Sequence, residues 1–590
     1  MNFKIISRCT ICTVLLPSTF LFAALQVKPI SPKPHSMAAS LAPEIKIEFD
    51  APVDPATINP NAIMIFGRWA GVMPGAFRLE DGNRQVLFTP AKKFSAGEWI
   101  TVAVSKRVRS ATGDTLAHGY TCNFWTATGR GDMTLRLKSE LPVRFANEPK
   151  VRTYGAYAGD LNGDGYHDFT VPNEDANDLR VYLNDGRGNY AYSSRHPLPF
   201  PARPSTNEGM DFNGDAITDF AVGNIRGNAV SVLFGDGRGG FLAPANYAVG
   251  LEPRGLSVMD LEGDGDMDIV TANRVGNNLS ILYNKGDGTF LSSRPFEAGG
   301  QGETACVAAD ANEDGILDLF VGAFGSKEMI LLLGDGKGGL TFSMKVNCGG
   351  SPWMVAAGDM DGDGHIDVVA ANAVEHNVAV IRGDGTGRLL PAETNPVGNF
   401  PLAIDLGDLN GDGDLDLVTS NYGGLDWTLY ENSGNGKFIN PRTLPARQAG
   451  SCAVFHDRDL DGDLDMTGVD EEADIIFLFE NGPSTAVHEA PSTNLPRDFS
   501  LAPAYPNPFA AATNALNHSE VTIPFTLRQA AKVNLRVVNV TGQTVAVLVD
   551  RVLPPGDHRA AFPARQHARG IYFYVMTVEG ETLIGKMAVI

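Results

Sequence analysis

Hydrophobic residues in this chain fall in short runs broken by polar, glycine-rich turns, and between residues 131 and 482 the pattern repeats itself. The third copy shows the unit. Gly255–Met259 is an apolar run, the nine residues Asp260–Asp268 are acidic, and Ile269–Ala272 is apolar again. Asn273–Asn278 reads as a turn, Leu279–Tyr283 as a third run, Asn284–Gly288 as a tight Gly-rich turn and Thr289–Phe296 as a fourth run. Runs of this length between turn residues predict β-strands, four to a unit. The acidic loops open at Asp160, Asp211, Asp260, Asp310, Asp359, Asp408 and Asp457, spaced 51, 49, 50, 49, 49 and 49 residues apart. A period near fifty marks one supersecondary unit whose copies bury their faces on one another. The fold class that follows is all-β: a seven-bladed β-propeller over 131–482. The seventh unit stops near Asn481 after three strands, while Thr134–Phe145 precedes the first unit as an orphan strand. The simplest closure lets that segment supply the missing outer strand, which removes an open edge.

The flanks read as separate domains. Residues 27–129 carry short strands such as Glu44–Asp50, Ala62–Gly67, Gln85–Pro90 and Trp99–Ser105, the layout of a β-sandwich. Residues 483–497 are a Pro/Ser/Thr-rich linker, and 498–590 hold further strands at Glu520–Leu527 and Lys532–Asn539.

The chemistry lies in the loops. Oxygen-bearing side chains recur at positions 1, 3, 5 and 9, with Gly at 6 for a sharp turn, and the carbonyl of position 7 can join them. That donor set suits a hard cation, calcium, at up to seven sites. The candidate ligands are Asp160, Asn162, Asp164 and Asp168 in loop one, and Asp211, Asn213, Asp215 and Asp219 in loop two. Loop three offers Asp260, Glu262, Asp264 and Asp268, and loop four Asp310, Asn312, Asp314 and Asp318. Loops five to seven offer Asp359, Asp361, Asp363, Asp367, then Asp408, Asn410, Asp412, Asp416, then Asp457, Asp459, Asp461, Asp465. Loop two has Ala216 where Gly is wanted and is expected to bind most weakly. The bland alternative is a set of acidic turns without metal. Seven near-identical loops argue for a structural role rather than one privileged catalytic metal.

Charge changes the picture next. The net charge is −22, and the loops alone hold 28 acidic residues, so seven divalent cations would bring it to about −8. Lys and Arg are too few and scattered for a nucleic-acid footprint. Residues 1–26 read as an export signal: Lys4 and Arg8, then an apolar stretch to Leu25 containing Pro17, too short for a comfortable membrane span. No transmembrane segment is expected in the mature chain. Cys122, Cys306, Cys348 and Cys452 show no disulfide framework and are expected as unpaired thiols.

On these residues the repeats resemble the FG-GAP/VCBS family, which includes the propeller head of integrin α chains and many bacterial surface proteins. Phe49–Asp54, Phe88-Thr-Pro90 and Cys122–Thr126 resemble the bacterial Ig-like domain, mostly a spacer in its family. Tyr505–Phe509, Gly570–Tyr574 and the ending Lys586–Ile590 are similar to the type A C-terminal sorting domain of the type IX secretion system, with the flagellar-hook-cap Ig module as the competing family. The sorting resemblance implies the type IX machinery as a partner and a secreted or outer-surface location in a Gram-negative bacterium.

The functional expectation is a calcium-stabilised surface propeller that binds a glycan or protein without catalysis. Arg254, Glu303, Trp353, Phe400, Tyr422 and Trp427, on the connections away from the acidic loops, are candidates for that ligand. The alternatives are a polysaccharide lyase or hydrolase on a calcium propeller, and a passive matrix protein. Arg382-Gly-Asp384 spells an integrin-binding tripeptide but sits in the recurrent hairpin and is read as coincidence. Asn173, Asn224, Asn273, Asn372 and Asn421 recur after the loops and are expected to cap the next turn.

Overall fold

The computed structural model describes residues 24–482, 499–501, 504, 520–527, 530–539, 543–578 and 581–589. The export segment before residue 24, the linker 483–497, Tyr505–Phe509 and Ile590 lie outside these. Secondary structure is β throughout, apart from three short 3-10 turns among the described residues. No helix among them is long and apolar enough to cross a membrane. The chain divides into two units, Met1–Thr485 and Ala486–Ile590.

The first unit opens with two four-stranded antiparallel sheets. One orders Val27–Ser31, Ile45–Phe49, Gln85–Pro90 and Gly75–Glu80; the other orders Gly71–Val72, Ile63–Gly67, Trp99–Val104 and Tyr120–Trp125. Ile45, Ile47 and Phe49 alternate inward along their strand and pack with Val86, Phe88, Ile100, Val102 and Phe124 in one core.

Seven four-stranded antiparallel sheets follow. Six use four strands consecutive in the chain, from the sheet of Tyr157–Gly159, Asp168–Asn173, Asp178–Asn184 and Tyr190–Pro197 onward. The seventh orders Gly450–His456, Asp465–Asp470, Ile475–Glu480 and then Arg136–Pro142, so the segment before the first sheet is the outer strand of the last. The second strand of every sheet, from Asp168–Asn173 to Asp465–Asp470, is buried at all six residues. That burial means each sheet is covered on both faces, as strands rich in Val, Ile, Leu and Phe require. Outer strands such as Leu340–Asn347 are far less buried, with one fully buried residue of eight. In the third unit the outer strand is only Arg294–Phe296, shorter than the apolar run predicts.

Neighbouring sheets are stitched by one recurring hydrogen bond. The carbonyl of position 2 of each acidic loop accepts from the last hairpin of the next sheet. Gly239 N donates to Leu161 O, Asn284 Nδ2 to Phe212 O, Gly338 N to Leu261 O and Gly387 N to Ala311 O, at 2.8–3.1 Å. Asn432 Nδ2 donates to Met360 O, Asn481 Nδ2 to Leu409 O and Asn184 Nδ2 to Arg458 O, each 2.8 Å. The last of these runs from the first sheet to the seventh, so the series returns to its start. The innermost strands likewise touch in sequence order, and Gly450–His456 touches Tyr157–Gly159.

The second unit has a three-stranded sheet (Phe499–Leu501, Val521–Leu527, Gly556–Phe562) and a four-stranded one (Thr544–Leu553, Ala531–Asn539, Gly570–Val578, Glu581–Val589). They share a core that includes Ile523, Phe525, Val533, Leu535, Tyr574 and Met587.

Candidate functional site

Each acidic loop joins the first strand of a sheet to the second, and its last Asp begins that second strand. This position-9 carboxylate is fully buried, 0–1% exposed in all seven copies. One oxygen accepts from the backbone N–H sixteen residues later, at 2.8–2.9 Å, in every copy. In six copies the other accepts from the N–H of position 2 at 2.9–3.1 Å. The sequence suggests for this Asp only the role of a metal ligand; in the structure it is the peg that ties loop to hairpin. Position 1 folds the loop over itself. Asp160 accepts from Gly163 N at 2.7 Å and Gly165 N at 2.9 Å, and Asp359 does the same with Gly362 and Gly364.

The donor set fits a divalent cation. Carboxylate oxygens of Asp359, Asp361 and Asp363 come within 4.8 Å of one another, as do those of Asp457, Asp459 and Asp461. Asp361 Oδ1, Asp457 Oδ1 and Asp463 Oδ1 are buried without a hydrogen-bond donor. Buried acceptors without partners are costly, and a cation at the loop centre would satisfy them. Burial, then neighbouring carboxylates, pushes the position-9 groups up to about 7 for Asp168, Asp219 and Asp367, about 8 for Asp318, Asp416 and Asp465, and about 9 for Asp268. In loops one, two, four and six, Nδ2 of the Asn at position 3 donates to the position-5 carboxylate at 2.9–3.1 Å, which brings those two positions together.

The loops differ in ways that position 6 does not reveal. Position 4 also needs a left-handed backbone and is Gly in five copies, but Glu313 (φ 60°) in loop four and Leu460 (φ 58°) in loop seven. Ala216 sits at φ 65° and keeps the loop's bonds, its N–H donating to Asp211 at 2.9 Å. A non-Gly residue there costs about 1–2 kcal/mol. Loop two therefore shares its left-handed strain with loops four and seven. Loop seven differs further. Its position 2 is Arg458, fully buried, whose Nη2 lies 3.2 Å from Asp465 Oδ2. That oxygen has the guanidinium as its ion-pair partner but accepts no hydrogen bond, unlike its counterparts in the other six.

The loop face is covered. The N-terminal domain contacts every loop: Lys92 Nζ reaches Asp160 at 3.2 Å, Arg107 grips Asp266 with both oxygens at 2.7–2.8 Å, and Thr128 donates to Asp408 at 2.8 Å. Backbone bonds join Thr121 to Gly315 and Gly129 to Gly462. His35 Nδ1 donates to Gly364 O, and Gly71 packs beside Thr218. Trp69 enters the junction between the first and seventh sheets and packs tilted against His167 and edge-on to His456. Glu98, fully buried, holds the Trp69 turn by accepting from the N–H groups of Trp69, Ala70 and Ser95. Burial and the nearby Lys92 push the His167 imidazole down to about 3, so it packs as a neutral ring. A module expected as a spacer is thus a docked cap.

The opposite end is built by the entry to each first strand. The strand pairs with the second strand at one residue, and in six sheets the register then slips by a bulge. Bulges re-aim side chains. The residues just after that pairing are Tyr154, Ser205, Arg254, Thr304, Trp353, Leu402 and Ser451. Beside them Phe324, Trp353, Phe400 and Tyr422 form a chain of ring contacts 5.5–6.5 Å apart. Arg254 stacks on Trp353 at 4.9 Å, and Arg274 on Phe324 at 5.3 Å. Trp353 Nε1 donates to Tyr154 Oη at 3.0 Å, linking the fifth sheet to the first. Of the ligand candidates, Trp427 and Glu303 are wholly buried; Trp427 packs on Phe477 and Phe479 in the core. Neither belongs to this surface. The recurrent Asn residues are buried as well; Asn173, Asn273, Asn372 and Asn421 donate to the side chain five residues on at 2.7–2.9 Å. Arg382 is held by Asp361 and Glu393, which engages the Arg of the tripeptide.

Residues 160–467 match the model described as FG-GAP-like repeat, in six overlapping stretches: 160–222, 211–271, 260–321, 310–370, 359–419 and 408–467. Residues 23–126 match the bacterial Ig-like domain. No curated protein matches the chain. Among solved structures, BBS1N in its complex with ARL6DN is 12% identical, with a TM-score of 0.42 over 61% of this chain and 99% of that one. An Agrocybe aegerita lectin described as recognising non-reducing terminal N-acetylglucosamine is 16% identical (TM-score 0.37; 76% and 100% covered). A functionally unknown protein of Desulfotomaculum acetoxidans is 10% identical (TM-score 0.36; 66% and 97% covered). None of these three likenesses bears on what this chain binds.

Proposed function

The chain belongs to the FG-GAP-like repeat family, and from that premise we propose that it is an exported, non-catalytic binding module. Its seven sheets are the blades of a closed propeller, its acidic loops hold calcium, and its ligand is an extracellular glycan or protein met at the end away from the loops. The observation that carries this reading is a contrast within the repeat. The position-9 residue is Asp in all seven copies, whereas the equivalent residues of the open end are Tyr154, Ser205, Arg254, Thr304, Trp353, Leu402 and Ser451. A position that every unit needs stays fixed; a surface that must fit one asymmetric ligand cannot repeat. Part-exposed aromatic and arginine side chains grouped on one face are the composition of binding surfaces. The same proposal places the protein outside the cell, with residues 498–590 as the segment read for export.

A glycan array run with calcium and with chelator tests it. Selective retention that needs calcium and is lost in Trp353→Ala is expected. Retention indifferent to both would sink the reading. For export, deletion of residues 498–590 is expected to leave the chain in the periplasm.

A further inference from the structure

An axial cavity of about 330 Å³ runs between the capping domain and the Tyr154–Trp353 bridge. Trp99 and Trp125 of the capping domain line one end, their rings edge to face at 4.8 Å, and Trp353, Tyr154 and Arg254 line the other. Such a volume lies at the low end of the roughly 300–1,000 Å³ typical of small-molecule sites.

Polar groups line the cavity between these ends. Glu208 sits on an innermost strand yet its residue is exposed, because its side chain faces the cavity. Asp405 accepts from Arg68 Nη1 at 3.0 Å and from Phe455 N at 2.8 Å. Asn207 Nδ2 is buried with no acceptor. The charged residues of the lining are Arg68, Arg254, Glu208 and Asp405, two of each sign.

We infer that this cavity is a binding site for a neutral polyhydroxylated small molecule, a monosaccharide or the terminal sugar of a chain, admitted by parting the Tyr154–Trp353 hydrogen bond. Three facts select that chemistry. Indole rings at both ends give apolar surface for the C–H groups of a sugar ring. Free donor (Asn207) and acceptor (Glu208) groups suit vicinal hydroxyls. Balanced charge disfavours an ion, which would leave a net charge buried. The inference rests on the reading of the open end as the ligand side, and it adds an interior site to that surface.

Three of the five tryptophans line the cavity, so intrinsic fluorescence reports on it. The calcium-loaded full chain is titrated with free glucose, galactose, mannose, xylose and N-acetylglucosamine. A saturable change with at least one sugar is expected. Glu208→Gln, isosteric and expected to melt like the parent, should bind it about tenfold more weakly. Tyr154→Phe, which opens the bridge, should speed association. No saturable change with any sugar, or one that Glu208→Gln leaves intact, overturns the proposal. Array binding that survives Glu208→Gln would leave the surface reading standing while the interior site falls. Sugar-dependent fluorescence with a blank array would do the reverse.

Discussion

The two ends of the seven-sheet unit obey opposite rules. At the loop end, residues repeat, side chains are turned inward and the surface is covered by the N-terminal domain. At the other end, equivalent positions differ in nearly every copy, and the aromatic chain from Phe324 to Tyr422 is only partly buried. The difference shows what an internal repeat can teach without any related sequence. The seven copies align with one another, so positions held constant report what the fold demands, and positions that vary report what the fold is used for.

The largest expected effect separates the ends by metal. Chelating calcium from the full chain should lower its melting temperature by about 10 °C or more, since several sites each contribute roughly 1–2 kcal/mol at tenfold excess. A scan that does not move would erase the distinction between the loops and ordinary acidic turns. Next, the ends should respond differently to loss of a tryptophan. Trp69→Ala opens the junction of the first and seventh sheets and should cost about 3–5 kcal/mol in denaturant unfolding. Trp353→Ala, on the open rim, should cost about 1 kcal/mol and show itself in ligand binding. Equal costs would mean that the rim is structural too.

A third effect is one of pH. In the chelated protein the position-9 carboxylates titrate at about 7 to 9 instead of near 3.8. The folded state then binds more protons than the unfolded one between those values, so stability present at low pH is lost as pH rises through about 7 to 9. Calcium, which neutralises the same groups, should flatten or invert that slope. A metal-free protein that gains stability over this range would contradict the burial of these carboxylates. The smallest effect sharpens the ranking of loops. Ala216→Gly and Leu460→Gly should each stabilise by about 1 kcal/mol by relieving a left-handed residue, and Gly163→Ala should cost as much. These are read from calorimetric calcium titrations and melts.

Much of this was legible in the residues. The strand pattern, the fifty-residue period and the early strand that completes the last sheet all follow from local apolar runs and turn chemistry, which act over a few residues. Less legible was everything that depends on residues far apart in the chain. Nothing near Trp69 announces that it will enter the junction of two sheets, or that Glu98 is buried to hold it there. Position 4 of the loops could have been read, since Gly occupies it in five copies. Arg458 was visible as the one cation inside a loop, but its pairing with Asp465 needs the hairpin of the first sheet packed over it. Trp427 looked like its neighbours on the rim and differs only in pointing inward.

The outer strand of the seventh sheet has a consequence for biosynthesis. Arg136–Pro142 leaves the ribosome early, and its partner Ile475–Glu480 is made last among the sheets. At ~5–20 residues per second, that edge waits on the order of tens of seconds before it can pair. Through that interval the first sheet and the latest one finished each lack a neighbour on one side. The seventh sheet is therefore completed only when Ile475–Glu480 reaches the waiting strand, so its formation couples the two ends of the repeat region.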